Sequence, residues 1–193
     1  MKFFFDFEGW LKSSNNIKKI KSPNWNIRPK KTNIHLVVLH SISLPEGFFG
    51  GKNVEKFFLN QLDVDLEENK FLSGLKVSSH FYIRRNGKLV QFVSIFDRAW
   101  HAGESSFLNK KNCNDFSIGI ELEGTDFVQF CDEQYITLLC LLFSLSETLP
   151  SLEFLTGHSY ISPGRKTDPG PFFDWDKLSL GLEEEKKSWK IYR

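Results

Sequence analysis

The run His35-Leu-Val-Val-Leu-His40 limits what this chain can fold into more than any other stretch of it. Four consecutive apolar residues, two of them β-branched, leave no polar face, so the segment reads as a strand buried inside a sheet. Upstream, the Ser22-Pro23 and Arg28-Pro29 steps favour extended or turn backbone. Downstream, Pro45, Gly47, Gly50 and Gly51 mark a loop over residues 41–51, which leaves His40 on a rim where the strand runs out.

The periodicities around this strand alternate in kind. Val54, Phe57, Phe58 and Leu62 fall on one side of a short helix over residues 54–62. Residues 79–85 and 88–93 are strand-like and joined by Asn86-Gly87, the pair suited to a two-residue type I′ hairpin. In residues 116–123, Phe116, Ile118, Ile120 and Leu122 point one way and Ser117, Gly119, Glu121 and Glu123 the other, which turns Glu121 away from the packed core. Asp132 is placed to cap a helix reaching about Glu147, with Ile136, Leu139, Cys140 and Phe143 at helical spacing and Pro150 beyond its end. Residues 154–158 form a last short strand. A Pro- and Gly-rich loop over 162–171, a short helix from about Asp174 and a charged tail follow.

Strands interleaved with helices predict an α/β fold, a mixed β-sheet flanked by α-helices. The 193 residues suit one domain spanning the chain, and the polar stretch near 63–70 is too short to be a linker between two. Lys and Arg number 25 against 24 Asp and Glu, so no strong field exists to draw in nucleic acid or an anionic membrane. The three cysteines, Cys113, Cys131 and Cys140, lack metal-type spacing and read as free thiols of a reducing compartment. Asp6 and Glu8 interrupt the aromatic start where a signal peptide needs an apolar core, and the apolar run over 135–145 falls well short of the roughly 20 residues that span a bilayer. The expectation is a soluble cytoplasmic protein.

Two of the five histidines, His40 and His158, stand where a strand opens into a loop, a common place for sites. Ten residues after His158, Asp168 precedes Pro169-Gly-Pro171, which holds its backbone extended and turns the chain just beyond it. Two imidazoles and a carboxylate form a ligand set that leaves a position open for water, as catalytic zinc requires. Fe(II) in an oxygenase accepts the same set, and a lone histidine on a strand is more often simply hydrogen-bonded in the core or at the surface.

Glu121 in an apolar strand needs a cleft, a charge or solvent. In a cleft it is a general base for the attacking water and later an acid for the leaving amine; on an edge strand it is only a solvated glutamate. Lys166 is either an exposed lysine or the partner of a developing oxyanion. Trp100 offers a flat apolar surface to a sugar or peptide, or belongs to the core. His80 and His101 read as structural groups or as supports for neighbouring site residues.

Taken together, Val37-Val-Leu-His40, Ile42-Ser-Leu-Pro45, Phe49-Gly-Gly51, Val77-Ser-Ser-His80, Arg98-Ala-Trp-His-Ala-Gly103, Cys113-Asn-Asp-Phe-Ser-Ile-Gly-Ile-Glu-Leu-Glu-Gly-Thr125, Thr156-Gly-His158 and Arg165-Lys-Thr-Asp-Pro-Gly-Pro171 resemble the AmpD family of cytoplasmic 1,6-anhydro-N-acetylmuramoyl-L-alanine amidases. That family belongs to a superfamily shared with peptidoglycan recognition proteins and the T7 lysozyme. The resemblance covers about residues 10–176, in the family's order. It implies one zinc ion on His40, His158 and Asp168, catalytic roles for Glu121 and Lys166, and a muropeptide substrate cut between the lactyl group of anhydro-muramic acid and L-alanine during cell-wall recycling. A non-catalytic muropeptide-binding module is the alternative. The chain departs from the family at Ser41, where asparagine is usual, and at Lys76 and Asn112, where arginine is usual. Ser41, Lys76 and Trp100 are the expected substrate contacts.

Overall fold

In the computed structural model, which describes residues 2–184 and 189–193, the apolar run lies inside a mixed sheet. Along the chain, β1 (Ile17–Lys19) and β2 (Trp25–Asn26) lead to β3 (Leu36–Ile42), then α1 (Asn53–Phe58) and a 3-10 segment, Glu67–Leu72. Next come β4 (Phe81–Ile83), β5 (Leu89–Gln91), β6 (Arg98–Ala99), β7 (Ser106–Phe107), β8 (Lys110–Lys111) and a 3-10 turn, Cys113–Asp115. The chain ends with β9 (Ser117–Glu123), α2 (Asp132–Thr148), β10 (Phe154–Gly157), α3 (His158–Ile161), α4 (Trp175–Glu183) and β11 (Lys190–Tyr192).

Among the described residues the main sheet runs β1-β5-β4-β9-β3-β10-β11, with β4 and β5 antiparallel and the other pairs parallel. β9 sits at its centre and all seven of its residues are buried. Burial on both faces is what parallel strands require, and two unequal layers supply it. On one face Ile118, Ile120, Leu122, Val37, Leu39 and Leu155 pack against α2 and α4. Leu138, Leu141, Leu142 and Leu145 of α2 are fully buried there, each worth roughly 1.5–3 kcal/mol. On the other face two smaller clusters, one around Phe58, Tyr82 and Phe92 and one around Val38, Phe107 and Phe116, stand on either side of a cleft.

Several expectations are corrected. The helical stripe on α2 is Leu138, Leu141, Leu142 and Leu145; Ile136 is 59% exposed, because the helix is rotated so that its leucines face the sheet. Cys131 is the N-cap, not Asp132, and Gln134 Oε1 accepts from Cys131 N at 3.0 Å. The hairpin is not type I′, which needs positive φ at both central residues. Only Gly87 has it, at 73°; Gly87 N donates to Arg84 O and Arg84 N to Lys88 O, both at 2.9 Å, giving a three-residue turn closed by a left-handed glycine. α1 ends at Phe58, ahead of the left-handed Asn60. Phe116 precedes β9 and joins the cleft-side cluster with Val38, so the alternation begins at Ser117. The charged tail is not all loose end: β11 returns parallel to β10, while residues 185–188 lie outside the described residues. The short helix expected from about Asp174 is α4, and Asp174 caps it, accepting from Lys177 N at 2.8 Å.

Candidate active site

His40 lies on β3, and the parallel register sets it beside Glu121 of β9. On the other side β10 pairs Gly157 with Leu39, so His158, the next residue, opens α3 at the same end of the sheet. Both histidines therefore stand at the carboxyl ends of adjacent parallel strands, where open α/β sheets place their sites. Asp168 arrives from the loop after α3. Ser159 N donates to Asp168 O at 2.9 Å, and Pro169 occupies the space a side chain at Gly157 would take: a Cβ there would lie 2.8 Å from Pro169 Cδ. Glycine at the strand end thus lets the aspartate loop close onto it.

The three ligand atoms meet in a triangle. His40 Nδ1 and His158 Nδ1 are 3.0 Å apart, and each lies 3.0 Å from Asp168 Oδ2. The histidines are 1% and 3% exposed, and solvent is replaced by protein on nearly every side of the cluster. Burial, reinforced by the neighbouring His158, pulls His40 down to about 4. Burial alone would raise the Asp168 carboxyl, but the close contacts with the His158 and His40 rings outweigh it and hold the group below the usual carboxylate range.

Beside the triangle Glu121 faces the cleft but is itself only 8% exposed, and its Oε2 has no hydrogen-bond partner among the described residues. Burial and then the charge of Asp168 push its carboxyl well above the ordinary glutamate value, against the pull of Lys166. The position is central in the sheet, which removes the edge-strand reading. The cleft, of about 700 Å3, is also lined by Ser41, Trp100 and Lys166. Lys166 is exposed on its rim; Trp100 is half-buried, its Nε1 donating to Asn26 Oδ1 at 2.7 Å. Lys76 is exposed between the lining residues Leu75 and Val77 and forms no part of the wall.

The residues fit a metal ion. Two imidazole nitrogens and a carboxylate oxygen converge, and a tetrahedral ion with bonds of about 2.0–2.1 Å has ligand-to-ligand edges of roughly 3.4 Å, close to those seen. Sequence reasoning left two supports, Asn114 and Arg165, undetected, and gave His101 only as a structural group or a support. Asn114 Oδ1 accepts from His101 N at 3.0 Å and Ala102 N at 2.8 Å. Arg165 Nη2 donates at 2.7 Å to Ala102 O, Glu104 O and Ser162 Oγ, tying the Asp168 loop to the chain after Trp100. His101 touches His40 directly, with Nδ1 2.9 Å from His40 Nε2. Each lies in a motif block but carries no periodicity that marks it. His80 stays outside the site, accepting from Gly119 N at 3.0 Å through Nδ1.

Residues 30–171 match the family described as N-acetylmuramoyl-L-alanine amidase. The chain is 45% identical over 175 residues to the 1,6-anhydro-N-acetylmuramyl-L-alanine amidase AmpD of Citrobacter freundii, covering 89% of this chain and 91% of that one. A crystal structure of a selenomethionine AmpD derivative superposes with a TM-score of 0.87 at 42% identity, over 92% of this chain and 98% of the other. AmpDh3 of Pseudomonas aeruginosa, in complex with an anhydromuramic pentapeptide, aligns at 25% identity with a TM-score of 0.54, over 92% of this chain and 65% of that one.

Proposed function

The chain belongs to the N-acetylmuramoyl-L-alanine amidase family, and from that premise we propose that it is a zinc-dependent enzyme that hydrolyses the amide joining anhydro-N-acetylmuramic acid to L-alanine in peptidoglycan fragments, serving cell-wall recycling in the cytoplasm. The observation that carries the reading is the convergence of His40 Nδ1, His158 Nδ1 and Asp168 Oδ2 in the cleft that Glu121 also lines, its buried Oε2 without a hydrogen-bond partner among the described residues. Among the described residues no helix is long and apolar enough to cross a membrane.

His40, His158 and Asp168 hold the zinc ion. When bound, zinc polarises the amide carbonyl and lowers the pKa of water toward neutrality. Glu121 takes the proton of the attacking water; burial raises its proton affinity, so it keeps that proton long enough to pass it to the departing alanine nitrogen. Lys166, on the rim of the same cleft, sets its ammonium against the charge that develops on the carbonyl oxygen. Trp100 and Ser41 present an apolar plane and a hydroxyl to the muropeptide, and Lys76 at the edge attracts its carboxylates. One domain carries all of this.

The test is mass spectrometry of anhydro-muramyl tripeptide incubated with the purified protein, with and without a zinc chelator. Free tripeptide that disappears on chelation and returns with added zinc is the expected result. Intact substrate in every tube, with zinc confirmed in the protein, would replace the enzyme with a muropeptide-binding module.

A further inference from the structure

Behind the triangle a chain of hydrogen bonds has only one possible direction. Its far end is a backbone carbonyl, Cys113 O, which can only accept; Ser117 Oγ lies 2.6 Å from it and must donate its single proton there. Ser117 Oγ is then free only to accept from His101 Nε2, 3.1 Å away, so the His101 proton sits on Nε2 and its Nδ1 is bare. His101 Nδ1 in turn lies 2.9 Å from His40 Nε2, a contact that is attractive only if His40 carries its proton on Nε2. The opposite arrangement would set two nitrogen lone pairs against each other in a buried site. In the neutral ring His40 therefore keeps its lone pair on Nδ1, the atom aimed at His158 and Asp168, where a cation shared by the three acceptors satisfies it.

The second histidine meets the same constraint from the adjoining residue. His158 Nε2 is 3.0 Å from Ala102 O, again a group that can only accept, so its proton is on Nε2 and its Nδ1 is bare as well. Arg165 Nη2 is 3.4 Å from the same nitrogen because it donates to the same carbonyl at 2.7 Å. Both partners hang from one side chain, since Asn114 Oδ1 accepts from the backbone N–H of His101 and of Ala102. Gly119 completes the fit: a Cβ there would lie 2.4 Å from His101 Cγ, so only glycine lets the ring lie against β9.

From this geometry we infer that His101 is a positioning residue which, with Ala102 O and Asn114, locks both imidazoles of the site in the tautomer that presents bare Nδ1 atoms to a metal. The inference rests on the metal-ligand role proposed above for His40 and His158. The ordered site costs less to load because each ring is already held with Nδ1 toward the metal position and neither has to turn over first. Partners of this kind typically change metal affinity 10–100-fold when removed.

The experiment has two readouts. In the zinc-loaded wild-type protein, long-range proton–nitrogen NMR assigns the ring nitrogens of His40 and His158 directly, and both are expected with the proton on Nε2 and Nδ1 on the metal. Zinc affinity, read by competition with a chromophoric chelator, is expected to fall 10–100-fold in His101→Phe, which keeps a ring against Gly119 but accepts no hydrogen bond. Most of that loss is recovered in His101→Asn, whose Oδ1 can accept near the position of Nδ1. Ser117→Ala, a smaller change that removes the acceptor holding the His101 proton on Nε2, is expected to lower zinc affinity in the same direction should His101→Phe fail to fold. A wild-type His40 carrying its proton on Nδ1, or a folded His101→Phe that binds zinc as tightly as wild type, overturns the inference. Wild-type protein that binds no zinc removes instead the ligand assignment on which it rests.

Discussion

Replacing Gly119 with alanine adds one methyl group at a crowded point beneath the site. Gly119 has ordinary strand backbone, so the substitution meets no conformational penalty of its own. The new Cβ would stand 2.4, 2.6 and 2.8 Å from Cγ, Nδ1 and Cδ2 of His101, where carbon contacts settle at about 3.5–4.0 Å. The ring must therefore retreat by about 1 Å. Its two nitrogens are held at 2.9 Å to His40 and 3.1 Å to Ser117, and a shift of that size lengthens and bends both contacts. Overpacking of this kind costs about 1–3 kcal/mol, and each buried group left without its partner about 1–3 kcal/mol more, so the variant should lose roughly 3 kcal/mol or more. For a chain of this length that is a fall in Tm of roughly 6–12 °C. The assay is thermal and urea unfolding of the metal-free Gly119→Ala, His101→Ala and double variants. With the ring gone the methyl has space, so Gly119→Ala in the His101→Ala background should cost less than about 1 kcal/mol, a coupling of about 2 kcal/mol or more. Equal costs in the two backgrounds would refute the reasoning, since the clash with His101 would then not be what glycine avoids.

Glu121→Ala is expected to lower turnover of anhydro-muramyl tripeptide by about 10²–10⁴-fold with zinc content unchanged and stability no lower than wild type, because it removes a buried carboxyl that lacks a partner on Oε2; metal analysis beside product release checks both, and an active variant ends the assignment. Lys166→Met should cost about 10²–10³-fold in kcat at the same zinc stoichiometry, so an unaltered kcat in steady-state kinetics removes Lys166 from the chemistry. The metal-free protein should also weaken in mild acid. His40 is held at about 4 by burial and by His158, and burial pushes His80 and His101 well below the usual histidine value. Between those values and about 6.5 the unfolded chain binds protons that the folded protein refuses, so stability is complete above that window and is lost as pH falls through it. His40 alone accounts for about 3 kcal/mol, and urea midpoints that do not move between pH 7.5 and pH 5 would contradict the burial argument.

The residues alone determined the elements that have a strong period or a sharp boundary. The apolar run around Val37–Leu39, the alternation in β9 and the Pro/Gly loop before Asp168 each depend on neighbours a few positions away, and all three appear where the sequence puts them. That His40, His158 and Asp168 converge, with Glu121 and Lys166 along the same cleft, was legible for a related reason, since they stand at strand ends or in motif blocks whose spacing can be read along one dimension. The rotation of α2 was not legible: Ile136 and Leu138 are similarly apolar, and only the presence of the sheet on one side decides that the leucines are buried and the isoleucine exposed. The turn at Gly87 likewise depends on where β4 and β5 stop pairing. Most plainly, nothing in the order of residues connects Asn114, His101, Ser117 and Cys113 O to the proton on His40. Those groups meet because β3 and β9 lie side by side, and the direction of a hydrogen-bond chain is settled only by which atoms the tertiary structure brings within 3 Å or so of one another.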